Sequence, residues 1–198
     1  MKIIRSRRRS IGLEIRAGEL IVRAPLWVSE REIRRVLEER RDWIEKHLKK
    51  AEEEQKRMDA AEPLSAAELR ALARQAKAYI PQRVAHYAPL VGVSYGRIFI
   101  RNQKTLWGSC SSRGNLNFNC LLMLTPPEVI DSVVVHELCH RKHMDHSQRF
   151  YTEVLRVYPE YRRWHRWLKE NGKLLMARAR KGNADAGAGA GTAEDWEF

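Results

Sequence analysis

The histidine spacing between Val133 and Tyr151 constrains this chain more than any other feature. The segment contains His136-Glu137-Leu138-Cys139-His140. Residues four apart share one face of an α-helix, one turn apart, so His136 and His140 can hold one metal ion together only if the segment is helical. Glu137 then sits beside the metal, placed to take a proton from a bound water. The pattern points to zinc hydrolase chemistry, in which the ion takes three protein ligands and one water.

His143 and His146 compete for the third position, with Glu153 of a following helix as another candidate. His143 lies seven residues beyond His136, about 10 Å away in an unbroken helix, and three ligands strung along one straight helix cannot surround an ion. His146 serves if the helix stops near His143 and the chain turns back at Met144-Asp145, where Asp tolerates the left-handed conformation. His143 then reads as an outer or surface histidine. A metal lowers the pKa of its bound water toward ~7. Glu137 takes that proton as the water attacks a carbonyl, then passes it to the leaving amine. An electrophilic helper for the oxyanion is required as well, and Tyr151, Tyr158, His165 and the arginines are candidates. Cys139 faces away from His136 and reads as a core thiol.

The 198 residues allow one domain with an appendage. A net charge of +12 and a pI near 10.0 favour anionic partners: nucleic acid, nucleotides or other phosphates, acidic proteins or a membrane surface. Three cysteines, Cys110, Cys120 and Cys139, lack Cys-x-x-Cys spacing and suit reduced thiols rather than a disulfide framework. No apolar run is long enough to span a bilayer, and no apolar signal region follows the charged start. A cytoplasmic protein without membrane segments is expected.

Residues 2–24 read as strands, with a hairpin in which Ile11, Leu13 and Ile15 alternate with polar positions before Leu20-Ile-Val-Arg-Ala24 returns. Ser29-Glu-Arg-Glu32 is a capping box opening a helix through Leu48, and the charged residues 49–60 read as a frayed end or linker. Ser65-Ala-Ala-Glu68 opens another helix, which Pro81 should kink or restart. Arg97–Arg101 alternates as a strand, Lys104–Trp107 forms a shorter one, residues 108–114 are turn material, and Leu116–Leu122 is a strand. Thr125-Pro-Pro-Glu128 forms a third capping box, opening the amphipathic helix that carries the histidines. Ser147 caps the next helix. Pro159 opens a last one, which packs Trp164 and Trp167 and stops at Asn171-Gly172.

Two segments together resemble the YgjP-like metallopeptidase family, zincin-type proteins related in motif to SprT-like and WLM proteases. One runs from Gln103 through Trp107-Gly108-Ser109-Cys110 to Asn117. The other runs from Pro126 through His136-Glu137-Leu138-Cys139-His140, with His146-Ser147 and Phe150 after it. The resemblance implies an α+β, zincin-like metallopeptidase domain with a small mixed sheet, an active-site helix and an N-terminal β-hairpin. It implies Zn2+ held by His136, His140 and His146, with Glu137 catalytic. It also implies that the strand near Asn115–Asn119 lies along the active-site cleft. An edge strand there could pair with an extended peptide, which makes Asn115 and Asn117 candidate substrate-binding residues. His143 stands where metzincins carry Gly, so the resemblance is not to that group.

The expected organisation is a hairpin and amphipathic helix over 1–60 packed on the catalytic part, a catalytic region over 61–175, and a flexible tail over 176–198. The expected function is zinc-dependent hydrolysis of peptide or protein substrates. The first alternative is a metal-dependent nucleotide phosphohydrolase of the nucleoside triphosphate pyrophosphatase type, with Arg101, Lys104 and Arg113 on the phosphates. The second is a nucleic-acid-associated protease using the basic surface.

Overall fold

Alternating apolar and polar residues build the first sheet. The computed structural model describes residues 1–16 and 18–186, and the chain forms two units, Met1–Ala61 and Glu62–Phe198. In the first unit Leu20, Val22 and Ala24 lie on the buried side of β3 (Glu19–Pro25). Strand β2 (Gly12–Arg16) pairs antiparallel with β3, placing Leu13 opposite Val22 and Ile15 opposite Leu20. Gly18, at φ 75°, takes the left-handed turn between them, which glycine adopts without steric cost. Strand β1 (Lys2–Ser6) runs parallel to β3 on its other side, so the expected hairpin becomes a mixed sheet of order β1-β3-β2.

Helix α1 (Glu30–Glu39) starts where Ser29 Oγ accepts from Glu32 N at 3.2 Å. The helix breaks at Arg40 (φ −110°, ψ 14°) and resumes as α2 (Arg41–Ala60). Residues 49–60 are therefore helical rather than frayed. Four-residue pairs hold this stretch, Glu52–Lys56 at 2.7 Å and Gln55–Asp59 at 2.8 Å. Ile33 of α1 and Ile44 of α2 close a small core with Leu20, Val22, Ala24 and Val28.

The second unit opens with a long helix. Helix α3 (Ala66–Val91) begins at a complete capping box: Ser65 Oγ accepts from Glu68 N while the Glu68 carboxylate accepts from Ser65 N. Pro81 neither ends nor restarts it. The ~3 kcal/mol that an interior proline costs is offset here by packing, since Ile80 and Val84 beside it are fully buried. Gly92, at φ 76°, ends the helix by donating to the Ala88 and Pro89 carbonyls.

Strands β4 (Ile98–Arg101), β5 (Gly108–Cys110) and β6 (Leu116–Asn119) form a sheet of order β4-β6-β5, with β6 parallel to β4 and antiparallel to β5. The short strand thus lies at 108–110, read as turn material, and not at 104–107. Residues 120–122, expected to extend β6, instead enter a 3-10 turn (Cys120–Leu124), because Asn119 Oδ1 accepts from Leu121 N and caps it.

Helices α4 (Pro127–Cys139), α5 (Gln148–Val157) and α6 (Tyr161–Ala186) complete the unit. The third capping box does not form. Thr125 Oγ1 donates to the Leu122 carbonyl at 2.8 Å, leaving Pro126 at the cap and Pro127 in the first turn. Helix α4 is not one-sided either. Packed by α3, α5, α6 and β5, it buries Val129, Ile130, Val133, Val134, Val135, Leu138 and Cys139. Helix α6 passes Asn171-Gly172 without stopping, because Gly172 serves close packing: a Cβ there would stand 2.8 Å from Trp107 Cζ2. Gly182 likewise lies against the Leu64 carbonyl. Residues 176–186, expected within a flexible tail, are helical, tied by Leu64 N donating to Arg178 O at 3.1 Å. The rest of that expected tail lies outside the described residues. Among the described residues no helix is long and apolar enough to cross a membrane.

Asp131 is the buried charge that fixes α4 on α3. Arg83 reaches it with Nε at 2.6 Å and Nη2 at 2.8 Å, and Tyr87 Oη donates at 3.1 Å. Replacing Asp131 with Ala should lower stability by roughly 1.5–3 kcal/mol, since it strands a partly buried guanidinium. Urea unfolding checks this, and a loss below about 0.5 kcal/mol would contradict it.

Candidate metal centre

Helix α4 ends earlier than the histidine spacing suggests. Its last residue is Cys139, and His140 caps it. The Arg141 and Lys142 amides donate to the Leu138 and Cys139 carbonyls, tightening the final turn. The chain then bends at Met144-Asp145, where Asp145 Oδ1 accepts from Ser147 N at 3.3 Å, and Ser147 Oγ accepts from Phe150 N to start α5. This returning loop carries His146 to the histidines of α4.

The three Nε2 atoms converge. His136 Nε2 lies 3.2 Å from His140 Nε2 and 3.2 Å from His146 Nε2, and the ligand atoms of the group all fall within 4.8 Å of one another. Nitrogens bound at ~2.0–2.1 Å to a tetrahedral ion stand about 3.3 Å apart. His136, His140 and His146 could therefore hold a metal ion.

The outer nitrogens of the two α4 histidines are committed. His140 Nδ1 faces the His143 carbonyl at 3.0 Å. A carbonyl only accepts, so Nδ1 carries the proton and Nε2 offers a lone pair. His136 Nδ1 faces Tyr161 Oη at 2.8 Å, which in turn faces His165 Nδ1 at 3.3 Å. With Nδ1–H donating to Tyr161 and the tyrosine O–H donating to His165, His136 too presents a bare Nε2. Burial, then the neighbouring His140 and His146, hold the His136 pKa down at about 3, and burial lowers that of His140. Both rings are thus neutral, as metal ligands must be. The buried ring of Phe150 packs under all three imidazoles, with centroids 4.9, 4.6 and 5.0 Å away.

The competing ligands are used elsewhere. His143 contributes its carbonyl to His140. Glu153 Oε1 accepts from Lys142 Nζ at 2.7 Å and Arg156 Nη2 at 2.8 Å, and these bonds, Arg156 first, pull its carboxyl down to about 2. Of the proposed oxyanion helpers, Tyr151 lies near His146, with centroids 6.2 Å apart, and His165 stands behind Tyr161. Tyr158 bonds the Glu128 carbonyl at the opposite end of α4. Cys139 is a core thiol, pushed up to about 12 by burial.

Strand β6 is the middle strand of its sheet, so the edge expected at Asn115–Asn119 falls instead to β4 and β5, of which β5 packs on α4. Asn117 spans the sheet, accepting from Arg101 Nε at 3.1 Å and donating to Ser109 Oγ at 3.1 Å. Asn115 Oδ1 accepts from Arg97 N at 3.0 Å. Both amides serve the sheet. Tyr161 and Phe150 are the site residues that residue spacing alone did not reveal as such. Tyr161 meets His136 across 25 positions of chain, which no local pattern reports.

Two imidazoles one turn apart, a third from a returning loop and a buried glutamate next to the first form a candidate metal centre of the kind a metallopeptidase domain carries. The chain belongs to the YgjP-like metallopeptidase domain family, whose sequence profile matches residues 9–71 and 61–171. No curated protein matches it. Two solved structures are similar: the metallopeptidase zymogens of Pyrococcus abyssi abylysin and Methanocaldococcus jannaschii jannalysin. Each is 22% identical over 46% of this chain with a TM-score of 0.42, covering 93% and 95% of those chains respectively.

Tyr161→Phe should weaken metal binding about 10–100-fold while leaving the fold intact, as loss of an outer hydrogen bond to a ligand does. Competition with a chromogenic chelator measures it, and an unchanged affinity would remove Tyr161 from the site. A second expectation concerns Glu137. Burial raises its carboxyl from 4.5 to about 8. Between those values the folded state binds more protons than the unfolded one, so the metal-free protein loses stability as pH rises through that window. Glu137→Gln should remove that component of the slope, as unfolding of chelator-treated protein near pH 5 and near pH 8 would report.

Proposed function

We propose that this protein is a zinc-dependent peptidase that cleaves peptide bonds with an activated water, using Glu137 as general base. The observation that supports it best is the convergence of three imidazole Nε2 atoms, with the buried Glu137 next to His136 on α4. Three imidazoles suit zinc, which binds nitrogen ligands in tetrahedral sites and keeps a fourth position open in catalytic ones. When bound, zinc supplies Lewis acidity that lowers the pKa of a water toward ~7.

The protein's own residues do the rest. His136, His140 and His146 would hold the ion, with Tyr161 and the His143 carbonyl keeping the α4 rings oriented. Glu137 follows His136 directly on α4 and takes a proton from the attacking water. It then delivers the proton to the departing amine, which must be neutral to leave. Its burial suits the second step, because a desolvated carboxylate accepts and keeps a proton readily. The free edge of β5 offers main-chain groups to an extended peptide. The backbone of such a substrate would bind regardless of its side chains.

Purified protein should contain about one zinc per chain and cleave unstructured peptides. Glu137→Gln should keep the zinc and lose turnover by about 10²–10⁴-fold. Metal analysis with mass spectrometry of a peptide library tests both. Hydrolysis of nucleoside triphosphates with no cleavage of any peptide would sink the proposal in favour of phosphate chemistry.

A further inference from the structure

The site leaves one question open: what orients Glu137. Glu137 is 5% exposed, and among the described residues no group donates a hydrogen bond to its carboxylate. A general base needs a fixed direction, and hydrogen-bonding neighbours usually supply it. Here a wall of backbone stands in their place.

The wall is Gly108, the first residue of β5. A Cβ built on it would lie 2.6 Å from Glu137 Oε1, 2.8 Å from Cγ and 2.9 Å from Cδ, and these are its three nearest atoms. Gly108 is not among the glycines with positive φ, so its backbone conformation would accept any residue. Glycine is required there by the carboxylate, not by the turn of the chain.

The wall cannot retreat. Gly108 pairs with Phe118, which is fully buried. The Trp107 carbonyl accepts from Asn119 N at 2.9 Å. The fully buried Asn119 donates from Nδ2 to the Gln103 and Leu106 carbonyls at 2.8 and 2.9 Å, pinning the segment that leads into β5. The Trp107 ring is seated on Gly172 of α6. Any atom added at residue 108 must therefore move the glutamate.

We propose that Gly108 is a positioning residue for Glu137, holding the general base by contact where no hydrogen bond does so. The proposal rests on the peptidase reading of the site. A methyl group at 108 displaces the carboxylate by a fraction of its length and leaves the three imidazoles untouched. A misplacement of about 1 Å at a reacting group costs roughly 100-fold in rate.

The test uses the full chain, loaded with zinc, as wild type, Gly108→Ala and Glu137→Gln. Gly108→Ala should bind zinc normally, keep KM within about twofold and lose kcat by roughly 100-fold. A kcat within about threefold of wild type, or zinc lost in step with activity, overturns the proposal. A thermal cycle without any substrate adds a second reading. Gly108→Ala should lower Tm by about 2–4 °C in the wild-type background and not in Glu137→Ala, where the space is open. Equal shifts in both backgrounds mean that the contact is not made, and overturn it too. If the cycle is non-additive but wild type cleaves no peptide, the peptidase reading falls and takes the positioning role with it, while the contact stands.

Discussion

Everything in the second unit follows from burying α4 on every side. A helix enclosed by α3, α5, α6 and β5 must answer for each polar group it carries, because an unpartnered buried charge costs several kcal/mol. Asp131 is answered by Arg83 and Tyr87. His136 and His140 are answered at Nδ1 by Tyr161 and by the His143 carbonyl, and both stay neutral. Among the described residues the Glu137 carboxylate has no hydrogen-bond partner, and burial raises its pKa. The helix thus leaves its unspent polarity at one end, in the Nε2 atoms of His136 and His140 and the carboxylate of Glu137.

The loop that closes the site depends on the same burial. Once α4 stops at Cys139, the chain has eight residues, 140–147, in which to reverse before Gln148. Lys142 and Arg156 clamp the Glu153 carboxylate between loop and α5, and Phe150 gives the imidazoles a common floor. Third-ligand choice is therefore a matter of where the chain goes after the helix. His143 falls at the tightened turn, where its carbonyl faces His140 Nδ1. His146 falls on the return.

Local chemistry was readable wherever neighbours in sequence are neighbours in space. Ser65 with Glu68, Ser147 with Phe150, and Gly18 in its turn act over a few residues, so their patterns carried the information. The histidine pair on α4 is of the same kind. Readings failed where one residue type has two uses. Gly172 looks like a helix stop and is a seat for Trp107. Thr125 looks like a cap and bonds backward to Leu122. Pro81 looks like a break and sits inside 26 continuous helical residues, held by Ile80 and Val84.

The sequence by itself determined the histidine pair that could hold a metal, the glutamate beside it, the need for a turn before His146 and the family to which the chain belongs. Each of these is carried by residue type and short-range spacing, which helix and turn geometry translate directly. Tertiary structure alone decided which strands form the sheet edges, that Asn115 and Asn117 are spent on the sheet, that Tyr161 stands behind His136, and that Gly108 walls in Glu137. Those contacts join residues 8 to 29 positions apart. They exist only because packing around α4 brings distant segments to the same few ångströms.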